Sequence, residues 1–185
     1  QSYAEIIKME NEKGAIPTEH IDVIFNKICE IKGLTDQLFD YSLACNEEAL
    51  ELDAPCNMES AIGDYLSEMA FILRENSFSL DIEKLIWKDF KITVNSNFLG
   101  RIFNNITNNI CKYADKKAPV CISCIYRNKD AGIEITNHIA DKSSLFNTTG
   151  MGIRNITLMM KQMNGWAIVS HNNTEFRITL WFSRA

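Results

Sequence analysis

The apolar positions change their spacing twice along the chain, and each change marks a different kind of element. Residues 2–12 carry apolar side chains at Tyr3, Ile6 and Ile7, a helical spacing that Gly14 and Pro17 then stop. Thr18 is placed to cap a second, longer helix whose apolar residues fall at Ile21, Ile24, Ile28, Ile31 and Leu38. Phe25, Leu34, Phe39 and Tyr41 widen that seam. Two such helices form a hairpin that cannot bury its own stripe, so further helices or a second chain are implied. Residues 46–57, NEEALELDAPCN, are polar with one proline and read as a linker.

From Met58 the pattern is mixed. Residues 58–74 suit an amphipathic helix, 78–82 and 90–95 suit short strands, and 96–114 suit a helix. Residues 119–126 and 132–136 alternate as a hairpin across the turn-like RNKD. Residues 138–149 are irregular, 152–163 are helical, and a last hairpin turns at Asn172-Asn173. Helices mixed with antiparallel strands predict an α+β domain with helices on one face of a sheet.

Composition narrows the setting. The 185 residues suffice for one ordinary domain with a sizeable core, or for a domain plus a helical appendage, and a net charge of −5 argues against a broad nucleic-acid surface. The six cysteines lie scattered within apolar patterns, as buried thiols in a reducing compartment do. Cys121 and Cys124 form a CxxC without a second pair at zinc spacing. No apolar run reaches the ~18 residues of a membrane span, and no signal peptide is visible. The chain opens on Gln1 already inside an apolar-periodic pattern, which reads as a piece of something longer.

Candidate chemistry sits on the helix at 96–114. On a wheel of about 100° per residue, Phe98, Leu99, Ile102, Phe103, Ile106, Ile110 and Tyr113 fill one arc. Asn104 and Asn108 fall opposite, in solvent, whereas Asn105 and Asn109 lie on the rim of the apolar arc, with Lys112 continuing their stripe. A buried amide without a partner costs about 1–3 kcal/mol. Either the helix rim bonds to its own domain, or a polar ligand completes it: amide oxygens suit magnesium, a lysine ammonium suits phosphate, and Tyr113 offers a face to a planar ring. Farther on, Gly150 and Gly152 stand where a loop turns into a helix, a place where backbone N–H groups approach anions. Ile153, Ile156, Met160 and Met163 of that helix are most simply core.

Taken in this order, the motifs resemble the ATP-binding domain of sensor histidine kinases, of the GHKL (Bergerat-fold) superfamily. LGRIFNNITNNICKYA (99–114) is similar to that family's N-box, and TTGMGI (148–153) to its second glycine box. EITN (134–137) falls where the first box begins, and 163–170 and 172–182 resemble the last two strands. The resemblance implies a helical hairpin at 1–47, half of a dimeric four-helix bundle, then a linker at 48–56 and, at 57–185, a two-layer α/β sandwich with a mixed, largely antiparallel sheet. It implies Mg-ATP as ligand: Asn105 and Asn109 on magnesium and phosphate oxygens, Lys112 on phosphate, Tyr113, Asn137 and Ile139 near adenine, and Thr148, Thr149, Gly150, Met151 and Gly152 at the phosphates beside the lid. The partners implied are a second copy through the hairpin and the receiver domain of a response regulator. There is no nucleic acid, and contact with membrane comes only through upstream segments, which puts this piece on the cytoplasmic side.

The chain departs from the family pattern in places. Asn137 stands where an aspartate is usual, His138, Ile139 and Ala140 replace the glycines that follow it, Thr148 replaces the first glycine of the second box, and the lid segment is short. None of His20, His138 and His171 has the phosphoacceptor context, so that histidine is expected before Gln1. The resemblance thus implies a protein-histidine kinase portion. The alternative is a degenerate kinase acting as a dimeric scaffold with weak or no ATP binding. A hydrolysing relative needs a glutamate general base on the asparagine helix, and residues 98–113 carry none.

Overall fold

The computed structural model describes residues 23–28, 31, 33–35, 38, 41–42, 50–140 and 151–185. The chain divides into two compact units, 1–42 and 43–185. In the first, every described residue is helical. Its apolar stripe is uncovered: Phe25, Ile28, Ile31, Leu34 and Leu38 are between 42% and 64% exposed.

In the second unit the strands are β1 (Cys56–Asn57), β2 (Leu80–Asp81), β3 (Lys91–Ile92), β4 (Val120–Tyr126), β5 (Asp130–His138), β6 (Trp166–His171) and β7 (Glu175–Ser183). The helices are α1 (Met58–Glu75), α2 (Ser96–Tyr113) and α3 (Met151–Gln162). One sheet runs β2-β4-β5-β7-β6, with β2 parallel to β4 and all other neighbours antiparallel; β1 and β3 form a separate antiparallel pair. The predicted α+β sandwich with a mixed, largely antiparallel sheet is therefore the observed architecture.

Alternation along the strands assigns the two faces of the sheet. Ile122, Ile133, Ile135, Ile178, Leu180 and Phe182 join one core with Ile62, Leu66 and Leu73 of α1, Leu99, Ile102 and Ile106 of α2, and Ile156 and Met160 of α3. The other face carries polar pairs, among them Thr179 donating to Glu134 at 3.3 Å, and Arg177 at 3.9 Å from the same carboxylate. It also holds the stacked rings of Trp166 and Trp181, 5.9 Å apart, with the Arg127 guanidinium 4.2 Å over the Trp181 ring.

Local chemistry sets the element ends. The Asn57 side chain accepts from Glu59 N to cap α1, and Asn95 does the same for α2 through Phe98 N. The last hairpin turns where Asn172 Oδ1 accepts from the N–H groups of Thr174 and Glu175, as the Asn-Asn pair predicts. Two expected strands are shorter than read. Of 78–82 only Leu80–Asp81 is strand, and of 90–95 only Lys91–Ile92. The flanking backbone makes only single bonds: Val94 O accepts from Asp53 N, while Ser79 O and Lys84 O accept from Val120 N and Cys124 N of β4.

After α3 the chain reverses through Asn164, at φ 58°, and Gly165, whose N–H donates to Met160 O at 2.9 Å. A β-carbon on Gly165 would overlap the Trp181 carbonyl oxygen and stand 2.9 Å from Met160 Cε. Gly165→Ala is therefore expected to cost about 2 kcal/mol or more, seen as a fall of several degrees in the melting temperature. An unchanged melt would mean that the α3–β6 junction yields freely.

Candidate functional site: the asparagine helix and the end of β5

Helix α2 places its asparagines as the wheel requires. Asn104 and Asn108 are exposed; Asn105 and Asn109 are half-buried at the rim. Phe98, Leu99, Ile102, Phe103, Ile106 and Ile110 are buried beneath them, and so is Thr107, whose hydroxyl donates to Phe103 O. Thr107 escapes a hydropathy reading because this local bond satisfies its polar atom.

The two candidate amides face the start of α3. A β-carbon built on Gly152 would lie 3.3 Å from Asn105 Oδ1 and 3.9 Å from Asn109 Nδ2. Glycine at 152 is what lets the two helices approach here. Asn105 Nδ2 donates back to Arg101 O at 2.9 Å, which turns Oδ1 toward Gly152. An amide oxygen held in this way is a hard donor of the kind magnesium accepts. Met151 is half-buried beside Gly152. Thr148, Thr149 and Gly150 lie outside the described residues.

The C-terminal end of α2 is stitched to the end of β5. Ala140 N donates to Tyr113 O and Asp115 N to His138 O, both at 2.9 Å, and Ala114 bridges Ile139. Tyr113 and Ile139 are half-buried, Lys112 is exposed, and Asn137 is 5% exposed. Asn137 Nδ2 donates to His138 O at 2.9 Å. What this side chain keeps for a ligand is its acceptor, Oδ1, and the second amide hydrogen. One helix face therefore runs from two amides against Gly152 to an aromatic ring beside the strand end that bears Asn137.

Cys121 and Cys124, the CxxC pair, lie on β4. Cys121 pairs with Thr136 and Cys124 with Ile133, three positions apart on one strand, so their side chains point to opposite faces and cannot chelate one ion. Burial raises both thiols, and the Asp81 carboxylate raises Cys121 further. Burial also pushes the Tyr126 phenol up to about 12.

The fold that brings these two helices together on a mixed five-stranded sheet is not unique to this chain. Solved structures share the fold. The histidine kinase AdeS of Acinetobacter baumannii superimposes with a TM-score of 0.69 at 14% identity, covering 99% of this chain and 95% of that one. The histidine kinase ThkA, in complex with the response regulator protein TrrA, gives 0.73 at 14% identity, covering all of this chain and 58% of that one. The ThkA catalytic domain alone gives 0.59 at 10% identity over 73% of this chain. In sequence, the chain is 29% identical over 171 residues to the sensor histidine kinase YrkQ of Bacillus subtilis strain 168; the match spans 92% of this chain and 39% of that protein. No family model matches the sequence. The resemblance to sensor histidine kinases thus stands on both a sequence relative and the fold.

Asn137 gives a test of the local chemistry. Replacing it by the aspartate usual in the resembled family sets a buried carboxylate against His138 O and removes the N–H donor. Asn137→Asp is expected to destabilise the domain by about 1–3 kcal/mol at pH 7. Burial raises the folded-state pKa of the new acid above its unfolded value, so the deficit shrinks as pH falls and the protonated acid again donates to His138 O. Thermal melts between pH 4.5 and 8 check both the loss and its sign.

Proposed function

We propose that residues 50–185 bind Mg-ATP along α2 and present its γ-phosphate to a histidine of the dimerisation helices, as the ATP-binding portion of a two-component sensor histidine kinase. The observation that carries this reading is the approach of Gly152 to Asn105 and Asn109. It brings a backbone opening and two amides together partway along a helix whose C-terminal end carries Tyr113 and is tied to the strand that bears Asn137.

The roles follow from the groups. Asn105 Oδ1 and the Asn109 amide hold the metal–phosphate end. Lys112, exposed one turn farther on, offers its ammonium to phosphate oxygens. Thr148, Thr149, Gly150, Met151 and Gly152 line the phosphate loop, and the N-terminus of α3 favours the anion. Tyr113 and Ile139 take the purine ring, and Asn137 Oδ1 accepts from its exocyclic amino group. Magnesium, when bound, neutralises phosphate charge. The protein's contribution is positioning and electrostatics. An imidazole nitrogen forms the new P–N bond, the bond from the γ-phosphorus to the bridging oxygen breaks, and ADP leaves. The phosphoryl group then passes to a receiver aspartate of a response regulator. ThkA, solved with TrrA, is a relative in fold that engages such a partner.

The hairpin belongs to the same reading. Its exposed Phe25, Ile28, Ile31, Leu34 and Leu38 form a helical stripe that a second copy would cover. Among the described residues, no helix is long and apolar enough to cross a membrane. The chain spans about two fifths of YrkQ; by analogy with sensor kinases, a membrane-anchored whole and a cytoplasmic setting for this part belong to the proposal.

Two measurements test it. Mg-ATP at 100 times its Kd is expected to stabilise the domain by about 2.7 kcal/mol. Asn109→Ala should lose at least tenfold in affinity while its ligand-free melt stays put; equal binding by the variant overturns the assignment. Separately, light scattering should give a dimer for the whole chain and a shift toward monomer for an Ile31→Glu, Leu34→Glu double variant. A monomeric parent chain overturns the dimer.

A further inference from the structure

Helix α2 has no acidic residue in its own first turn. The carboxylate that its N-terminus calls for comes from the segment before α1. Ser96 N donates to Asp53 Oδ2 at 2.9 Å, and the Ser96 hydroxyl donates to the same oxygen. Asp53 N donates to Val94 O at 2.7 Å. The cap itself is shared: Asn95 Oδ1 accepts from Phe98 N inside the helix, while Asn95 Nδ2 donates outward to Glu51 O at 2.9 Å. Leu50 and Leu52 pack against the core, and Tyr65 Oη holds Ser96 O at 2.8 Å.

We infer that residues 50–55 are a strap whose docking on the N-terminus of α2 is energetically coupled to nucleotide at Asn105 and Asn109. The inference rests on the nucleotide reading above and adds its regulation. Asn105 and Asn109 lie on the same rigid rod as Ser96, so a change at the helix start is carried along its axis to the amides. The strap is also poised to let go. Glu51, Asp53, Ala54 and Pro55 are exposed, and it is held by a few hydrogen bonds and two leucines. A cleft of about 500 Å³ bordered by Asp53, Tyr65, Val94 and Ser96 opens beside the contact, so packing does not lock it. By reciprocity, nucleotide tightens the strap.

Hydrogen exchange of the whole chain, with and without Mg-ATP, tests this. Mg-ATP is expected to slow exchange of the Asp53 and Ser96 amides at least fivefold. Asp53→Ala should weaken Mg-ATP at least fivefold and abolish that protection, while exchange in the middle of β5 stays as in the parent. Asn95→Ser keeps an N-cap acceptor but loses the donor to Glu51 O; it should show the same loss at smaller size, and it serves if Asp53→Ala fails to fold. If Mg-ATP binds the parent and Asn109→Ala abolishes that binding, yet strap exchange is unmoved and the strap variants bind as the parent does, the coupling is overturned and the nucleotide reading stands. Absence of binding by the parent overturns both.

Discussion

The packing of α3 against α2 at Gly152 is the constraint on which the candidate site depends. Two amides on an otherwise apolar helix rim are expensive to cover, and a side chain at 152 would cover them or displace them. With only a hydrogen there, the rim stays half-buried, and Asn105 Oδ1 and Asn109 Nδ2 are the side-chain atoms turned to it. Asn105 supplies the direction by donating its nitrogen to its own helix. The apolar arc beneath, from Phe98 to Ile110, fixes the rotation of α2 about its axis, so the core that stabilises the domain also aims the amides.

The same logic operates at the other end of α2. Hydrogen bonds from Ala140 and Asp115 tie the helix end to the strand that bears Asn137. Asn137 is deeply buried for a polar side chain, and its bond to His138 O both satisfies its nitrogen and orients its oxygen. Restoring an aspartate is therefore not a neutral return to the pattern of the resembled family, because the local backbone has been arranged around a donor.

Much of this was legible in the sequence where period and burial agree. The wheel over 96–114 separated Asn105 and Asn109 from Asn104 and Asn108, and the burial of Phe98, Ile102 and Ile106 follows it. The hairpins were legible because alternation runs long and the Asn172-Asn173 turn has its own chemistry. The short strands at 80–81 and 91–92 were overread: a β-prone string says nothing about which backbone will pair with it, and here only two residues of each string align with a partner strand. The strap was not legible at all. In a polar linker, Asp53 looks like any solvated carboxylate, and only the fold brings it to a helix start with no acid of its own.

A kinase site and a vestigial one differ in what holds the polar groups when no ligand is bound. In a site that has lost its ligand, buried amides gain by turning onto each other or giving way to apolar residues, since a covered and unused acceptor lowers stability. Here the nitrogens of Asn105 and Asn137 are each given to a backbone carbonyl, and Asn105 Oδ1 stands at the opening left by Gly152. One amide hydrogen from each of the two goes to backbone, and that bond fixes which way the rest of the amide points. Acceptors are what a metal ion and an exocyclic amino group require, whereas a bare phosphate would want donors. In the proposed function it is that orientation, more than the number of polar residues, that a metal-bound purine nucleotide would use.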